Sequence, residues 1–185
     1  MFMLRAGRAR FIIRRPCQNF MFSHQLQSET NINTSPDRVW EVLMDFAAYP
    51  EWNPFIRSIR GVPRKGESLE VFIQTGGAGG MTFRPHVLVA EPGRELRWRG
   101  RLLLPGLFDG THSFEIRPVA DGKVVFRQSE SFSGLLVPFL TSRLDRDTRK
   151  GFEEMNRALK ARAEAADAPD GVSEEAHHLD HIPKV

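Results

Sequence analysis

Three polar side chains interrupt two otherwise regular segments. In GTHSFEIRPV (110–119), His112, Phe114 and Ile116 share one face of an extended chain, and Ser113, Glu115 and Arg117 share the other. In KVVFRQSESF (123–132), Val124, Phe126, Gln128, Glu130 and Phe132 share a face. The intervening Ala120, Asp121 and Gly122 are turn chemistry, so the two segments form a hairpin. Counting outward from residue 121 sets Phe114 opposite Gln128 and His112 opposite Glu130. A carboxylate beside an imidazole favours the charged ring, while an apolar wall disfavours a charged carboxyl. Such a pair has the parts for general acid–base work on an enolisable ligand. It equally suits orienting a ligand hydroxyl or carbonyl without chemistry, or a structural hydrogen bond at the sheet end with Glu130 reaching solvent. The sequence leaves these three roles open.

Other chemistry-bearing groups carry less. His86 follows Pro85 in an irregular segment, which favours a surface or hydrogen-bonded role. HHLDH (177–181) has metal-binding residue types but lies in a stretch without fixed geometry, so no metal site is expected. Arg97, Arg99 and Arg101 alternate onto the outer face of their strand. They read as a solvated face, with contact to an anionic lipid surface or a partner as the alternative. TGGAGG (75–80) lacks the Lys-Ser/Thr of a phosphate loop and precedes a strand, so it reads as a flexible hairpin. No Ser-His-Asp grouping or dinucleotide fingerprint stands out, and no cofactor is expected.

The elements that position these groups follow from periodicity. SHQLQSETNIN (23–33) is a first strand. In TSPDRVWEVLMDF, Ser35 caps a helix, Pro36 takes the first turn and Asp37 complements the positive end. Val39, Trp40, Leu43 and Phe46 recur at helical spacing. Tyr49 and Asn53 each precede a proline and are expected to be extended, ending that helix near residue 48. A short helix or turn around 50–55 then presents Trp52 and Phe55. The period changes to two in 55–61, 68–75, 81–91, 95–103, 110–119 and 123–132, an antiparallel meander. The segment 133–166 returns to helical period, with Leu136, Leu140, Leu144, Phe152, Met155 and Leu159 along one face. Gly151 sits beside that face at a propensity cost of about 1 kcal/mol, which makes sense if space is wanted there.

Composition bounds the function. Of 185 residues 14 are Phe and one is Tyr, favouring wholly apolar packing or an apolar cavity lining. The formal charge is +3, but Arg5, Arg8, Arg10, Arg14 and Arg15 lie in an acid-free start, leaving −2 for the remainder. Bulk charge therefore gives no argument for nucleic acid. The lone Cys17 excludes an internal disulfide and suits a cytoplasmic setting. No stretch approaches the roughly 20 apolar residues of a membrane span. Residues 1–22 are expected to stand outside the fold, as an extension before Met21, an organelle-targeting leader or a basic membrane-surface anchor. Residues 23–166 are expected to form one domain and 167–185 a disordered tail.

SPDRVWEVLMDFAAYPEWNPFIRSI resembles the signature of the START-like helix-grip superfamily, also called SRPBCC, in its polyketide cyclase/dehydrase and lipid-transport branch. PGRELRWRGRL, HSFEIRPVADGKVVFRQSESFSGLL and FEEMNRALKARAE resemble later blocks in the expected order, over roughly residues 24–164. The resemblance implies an α+β fold: a curved antiparallel sheet of about seven strands around a long C-terminal helix, with two short helices after the first strand. It also implies a hydrophobic small molecule, lipid-, quinone- or polyketide-like, held between sheet and helix. Trp52, Phe55, Trp98, Phe114, Phe126, Phe132, Phe139, Phe152 and Met155 are the candidate apolar contacts. His112, Gln128 and Glu130 are the candidate polar ones. Two alternatives remain: a cyclase/dehydrase-type enzyme with His112 and Glu130 as acid and base, and a module docking on a partner or a membrane surface. Ligand exchange would use the short helices or the loops at 76–80 and 104–109.

Overall fold

The computed structural model describes residues 22–74, 79–102 and 106–165, without the side chains of 102 and 139–145. The expected leader, Phe22 excepted, and the expected tail lie outside the described residues. The first strand, β1 (Ser23–Ile32), leads to α1 (Pro36–Met44), where Ser35 Oγ accepts from the Arg38 amide as foreseen. A single 3-10 turn (Phe46–Ala48) follows, capped by Asp45, and then α2 (Tyr49–Trp52).

Here one expectation fails. Tyr49 precedes a proline yet is helical (φ −53°, ψ −41°), whereas Asn53 is extended as expected (φ −91°, ψ 112°). Tertiary packing overrides the local bias at Tyr49. Its ring is fully buried between Phe46 and Trp52, and its hydroxyl donates to the Leu43 carbonyl at 2.8 Å. Burial pushes that hydroxyl's pKa well up, so it stays a donor. At the far end of α2, buried Asn53 accepts from the amides of Phe55 and Ile56 (3.0 and 2.9 Å). This side-chain turn aims Phe55 into the interior and starts β2 (Ile56–Arg60).

The remaining strands are β3 (Glu70–Gln74), β4 (Gly80–Phe83), β5 (His86–Glu91), β6 (Glu95–Leu102), β7 (Phe108–Pro118) and β8 (Val124–Ser133). The expected single strand 81–91 is two, divided at Arg84-Pro85, because proline donates no ladder bond and restricts the residue before it. Each half takes different partners. β4 extends a three-stranded sheet, β2-β3-β4, and β5 closes a five-stranded one, β1-β8-β7-β6-β5, so there are eight strands among the described residues. The two sheets run together where Leu69 donates to the Pro85 carbonyl and Val87 to that of Glu67, both at 2.9 Å. Bulges in β2 and β5 add curvature.

Gly134 (φ +135°) turns the chain out of β8 against the Leu107 carbonyl. The long helix α3 (Val137–Ala165) then crosses the concave face. Phe152, Met155, Leu159 and Ala163 are buried on its inner side. A Cβ at Gly151 would overlap the Phe55 ring, so the space anticipated beside the apolar stripe is occupied by the aromatic that Asn53 aims inward. This is the helix-grip architecture.

Candidate functional site

Alternation along β6, β7 and β8 holds on their inner face. Leu96, Trp98, His112, Phe114, Ile116, Val124, Phe126, Gln128 and Phe132 are all buried. The β7–β8 register sets Phe114 opposite Gln128 and His112 opposite Glu130, as turn-centred counting predicts. Successive inward rungs of β6–β7 are Leu96 with Phe114, Trp98 with His112, and Gly100 with Gly110. Side-chain bulk thus falls from two large apolar groups to none over three rungs.

The space left by that taper is a cavity of about 500 Å³. Trp98, Gly100, Gly110 and His112 form its floor, and Glu130, Phe132 and Phe108 one side. Val71 and Ile73 of β3, Met81 and Phe83 near the β4 edge, and Pro85 face them. Phe55 closes one end, Asp147 and Thr148 come from α3, and Arg101 stands at the rim. A Cβ at Gly100 would meet only Pro85, at 3.9 Å, so its missing side chain is open volume. At Gly110 a Cβ would lie 2.7 Å from Glu130 Oε1, so its missing side chain makes room for the carboxylate.

The polar groups form a chain. His112 Nδ1 and Glu130 Oε2 are 2.5 Å apart. On the other side of the ring, the Gln128 amide nitrogen lies 3.2 Å from His112 Nε2 and 3.4 Å from Met155 Sδ. The imidazole is stacked on Trp98 (5.2 Å between centroids, 19°) and touched edgewise by Phe152 (5.3 Å, 78°). His112 is only 2 % exposed, so these contacts fix the ring in place. At the rim, Arg101 Nε is 3.7 Å from Asp109 Oδ1.

Of the residues picked from sequence, Phe55, Trp98, His112, Glu130 and Phe132 border the cavity. Phe114, Phe126, Gln128, Phe152 and Met155 do not. They are fully buried behind His112, where α3 packs onto the sheet. Trp52 is half-buried and packs on Tyr49 (4.9 Å, 66°) rather than on the cavity wall. The side chain of Phe139 lies outside the described residues. Arg97, Arg99 and Arg101 do alternate outward but are not a bare stripe. Arg97 pairs with Glu95 (3.2 Å), Arg99 donates to Thr111 Oγ1 (3.1 Å), and Arg101 reaches the cavity rim. His86 is exposed and hydrogen-bonded to Ser68 Oγ (2.9 Å). HHLDH lies outside the described residues, among which no group of three metal-ligating side chains occurs.

Sequence reasoning missed the β3–β4 wall because irregular alternation hid its inward face. It missed Phe108 by placing it in a loop. Two signals were available. Gly100 and Gly110 share the inward parity of Trp98 and His112, and Thr148 is spaced four residues from both Leu144 and Phe152 on the helix stripe.

The family model described as "polyketide cyclase / dehydrase and lipid transport" matches residues 23–164. No curated protein matches the chain. Among solved structures, the ZhuI aromatase/cyclase from Streptomyces sp. R1128 superposes with a TM-score of 0.66 at 13% identity, over 81% of this chain and 99% of that one. A START superfamily protein from Mycobacterium smegmatis gives 0.62 at 19% identity, over 77% and 99%. A norcoclaurine synthase point mutant from Thalictrum flavum gives 0.62 at 12% identity, over 80% and 98%. At these identities the likeness is one of fold.

Proposed function

The chain belongs to the polyketide cyclase/dehydrase and lipid-transport family, and from that premise we propose that it binds a hydrophobic small molecule in the cavity between sheet and α3. The observation that carries this is the cavity itself. Its volume of about 500 Å³ falls in the usual range for small-molecule sites. Its walls are mostly aromatic and aliphatic, and its polar groups gather at Glu130 and His112, with Asp147, Thr148 and Arg101 nearer the helix and rim. A ligand would bury its apolar body against Phe55, Phe132 and Trp98 and turn one polar group to Glu130. Residues 23–166 are the unit that this reading assigns to binding. No helix among the described residues is long and apolar enough to cross a membrane.

The test is native mass spectrometry of the full chain, followed by denaturing extraction of any released small molecule. The expected result is an apolar molecule at one equivalent per chain. Gly100→Leu, which builds into open cavity volume, should remove it while leaving the fold intact by circular dichroism. Retention of the same molecule by a folded Gly100→Leu chain would place binding elsewhere and overturn the reading.

The 2.5 Å contact between His112 and Glu130 favours one second reading, a cyclase/dehydrase-type enzyme using that pair as acid and base. In that case Glu130→Gln abolishes turnover of the extracted ligand while its affinity stays within about tenfold. Parallel loss of both indicates binding alone.

A further inference from the structure

We propose that the ligand's polar end is a neutral hydrogen-bond donor, a hydroxyl of the phenol, enol or alcohol kind, delivered to Glu130 Oε1 over the bare backbone of Gly100. Ligands headed by a carboxylate are rejected. This deepens the cavity reading above and rests on it.

The argument starts in the core. Gln128 is fully buried, and its amide nitrogen stands within hydrogen-bond reach of both Met155 Sδ and His112 Nε2. A thioether sulfur accepts and cannot donate, so the NH2 end of the amide, not its oxygen, belongs against Met155. The same NH2 group then supplies its second hydrogen to His112 Nε2, which must be the bare, accepting nitrogen. The Gln128 oxygen is left without a partner, the cost of keeping both hydrogens on these acceptors. An imidazole with an accepting Nε2 carries its proton on Nδ1. That proton points at Glu130 Oε2, 2.5 Å away, so Oε2 is the accepting atom of this contact.

Among the described residues the chain of donors ends there, on the cavity side. Glu130 Oε1 lies over Gly110, in the space a side chain would fill. Beside it, across the β6–β7 ladder, is Gly100, open to the cavity. The protein therefore offers an acceptor next to a bare floor, and what completes it is a donor. An anionic head would instead meet two carboxylates, Glu130 and Asp147. Among the described residues of the lining the cation is Arg101, which already lies against Asp109. His112 does not present a free nitrogen to the ligand. It is a positioning residue that orients Glu130, and Gln128 sets its tautomer.

The experiment is calorimetric titration of the full chain with three probes on one apolar scaffold: 2-naphthol, 2-naphthoate and 2-methylnaphthalene. Near neutral pH the phenol is protonated and the acid ionised. The expected order has naphthol tightest, about tenfold or more over naphthoate and severalfold over methylnaphthalene. In Glu130→Gln, His112 Nδ1–H holds the new amide oxygen and turns its NH2 to the cavity, so the naphthol preference collapses or inverts. Naphthoate binding as tightly as naphthol, methylnaphthalene matching naphthol, or an unchanged preference in Glu130→Gln each overturns the inference while leaving the cavity reading standing. Binding of none of the three overturns both. A second readout needs no variant. Nitrogen-15 spectra of His112 in the unsubstituted chain should show Nδ1 protonated and Nε2 bare, and a protonated Nε2 defeats the proposal.

Discussion

The two ends of the β6–β7–β8 inner face are built by the same strands and alternation, yet one is solid and the other hollow. Towards the β7–β8 turn, Phe114, Phe126 and Gln128 are fully buried and α3 answers them with Phe152, Met155 and Leu159. Towards the other end, the rungs shrink to Gly100 and Gly110, and among the described residues α3 contributes Asp147 and Thr148 to the lining. The difference teaches that a binding cavity here is not a looser core. The packed end immobilises the ring of His112 from behind, and the hollow end exposes the carboxylate that the ring holds. The solid half organises the hollow half.

The sharpest way to break that comparison is truncation at matched positions. Phe114→Ala, in the solid half, should cost about 3–5 kcal/mol of stability by chemical denaturation. Phe132→Ala, on the cavity wall, should cost roughly half that or less, because one side of the ring already faces open space. Equal costs would mean that the two ends are packed alike.

A second substitution probes the seam between the halves. Gly151→Ala drives a methyl into the Phe55 ring and should cost about 1–3 kcal/mol, even though alanine is the better helix former. In a Phe55→Ala background the same change should turn neutral or stabilise by up to about 1 kcal/mol. A cost independent of Phe55 would show that the glycine serves some other contact.

The smallest effect is expected on the outer face, which neither half involves. Glu29 accepts from Arg127 and Arg117, and these hold its carboxyl below the ordinary value of 4.5. A carboxyl lowered in the folded state stabilises above its unfolded pKa, and this is lost as pH falls through the folded one. Glu29→Gln should therefore lower the melting temperature slightly at neutral pH, with the difference closing in acid. At 40% side-chain exposure, much of the interaction is screened. A difference that widens in acid would contradict this sign.

Much of the fold was legible in the chain because it is written in local rules. Ser35-Pro36-Asp37 carries the cap, first-turn and charge preferences of a helix start, and a change of period from 3.6 to 2 marks the sheet. A tight turn at residues 120–122 sets a register that can be counted, so the pairing of His112 with Glu130 was available before any coordinates. Gly151 declared a need for space but not who would fill it. What is local about Tyr49 and Pro85 misled or underspecified. Burial kept Tyr49 helical despite Pro50, and Pro85 split one expected strand between two sheets.

Only the tertiary structure decided which inward side chains meet protein and which meet empty space. Phe114 and Phe132 have the same parity and chemistry, and within their strands only Gly110, opposite Phe132, hints at which of them borders open space. The distinction comes from how far α3 and the β3–β4 wall reach across, a sum over contacts remote in sequence. The sequence by itself determined most of the elements and the His112–Glu130 pair, because periodicity and turn counting act over a few residues, and its motifs carried the family resemblance. The tertiary structure decided that Glu130 faces the cavity and Gln128 the core, because that depends on where the packing stops.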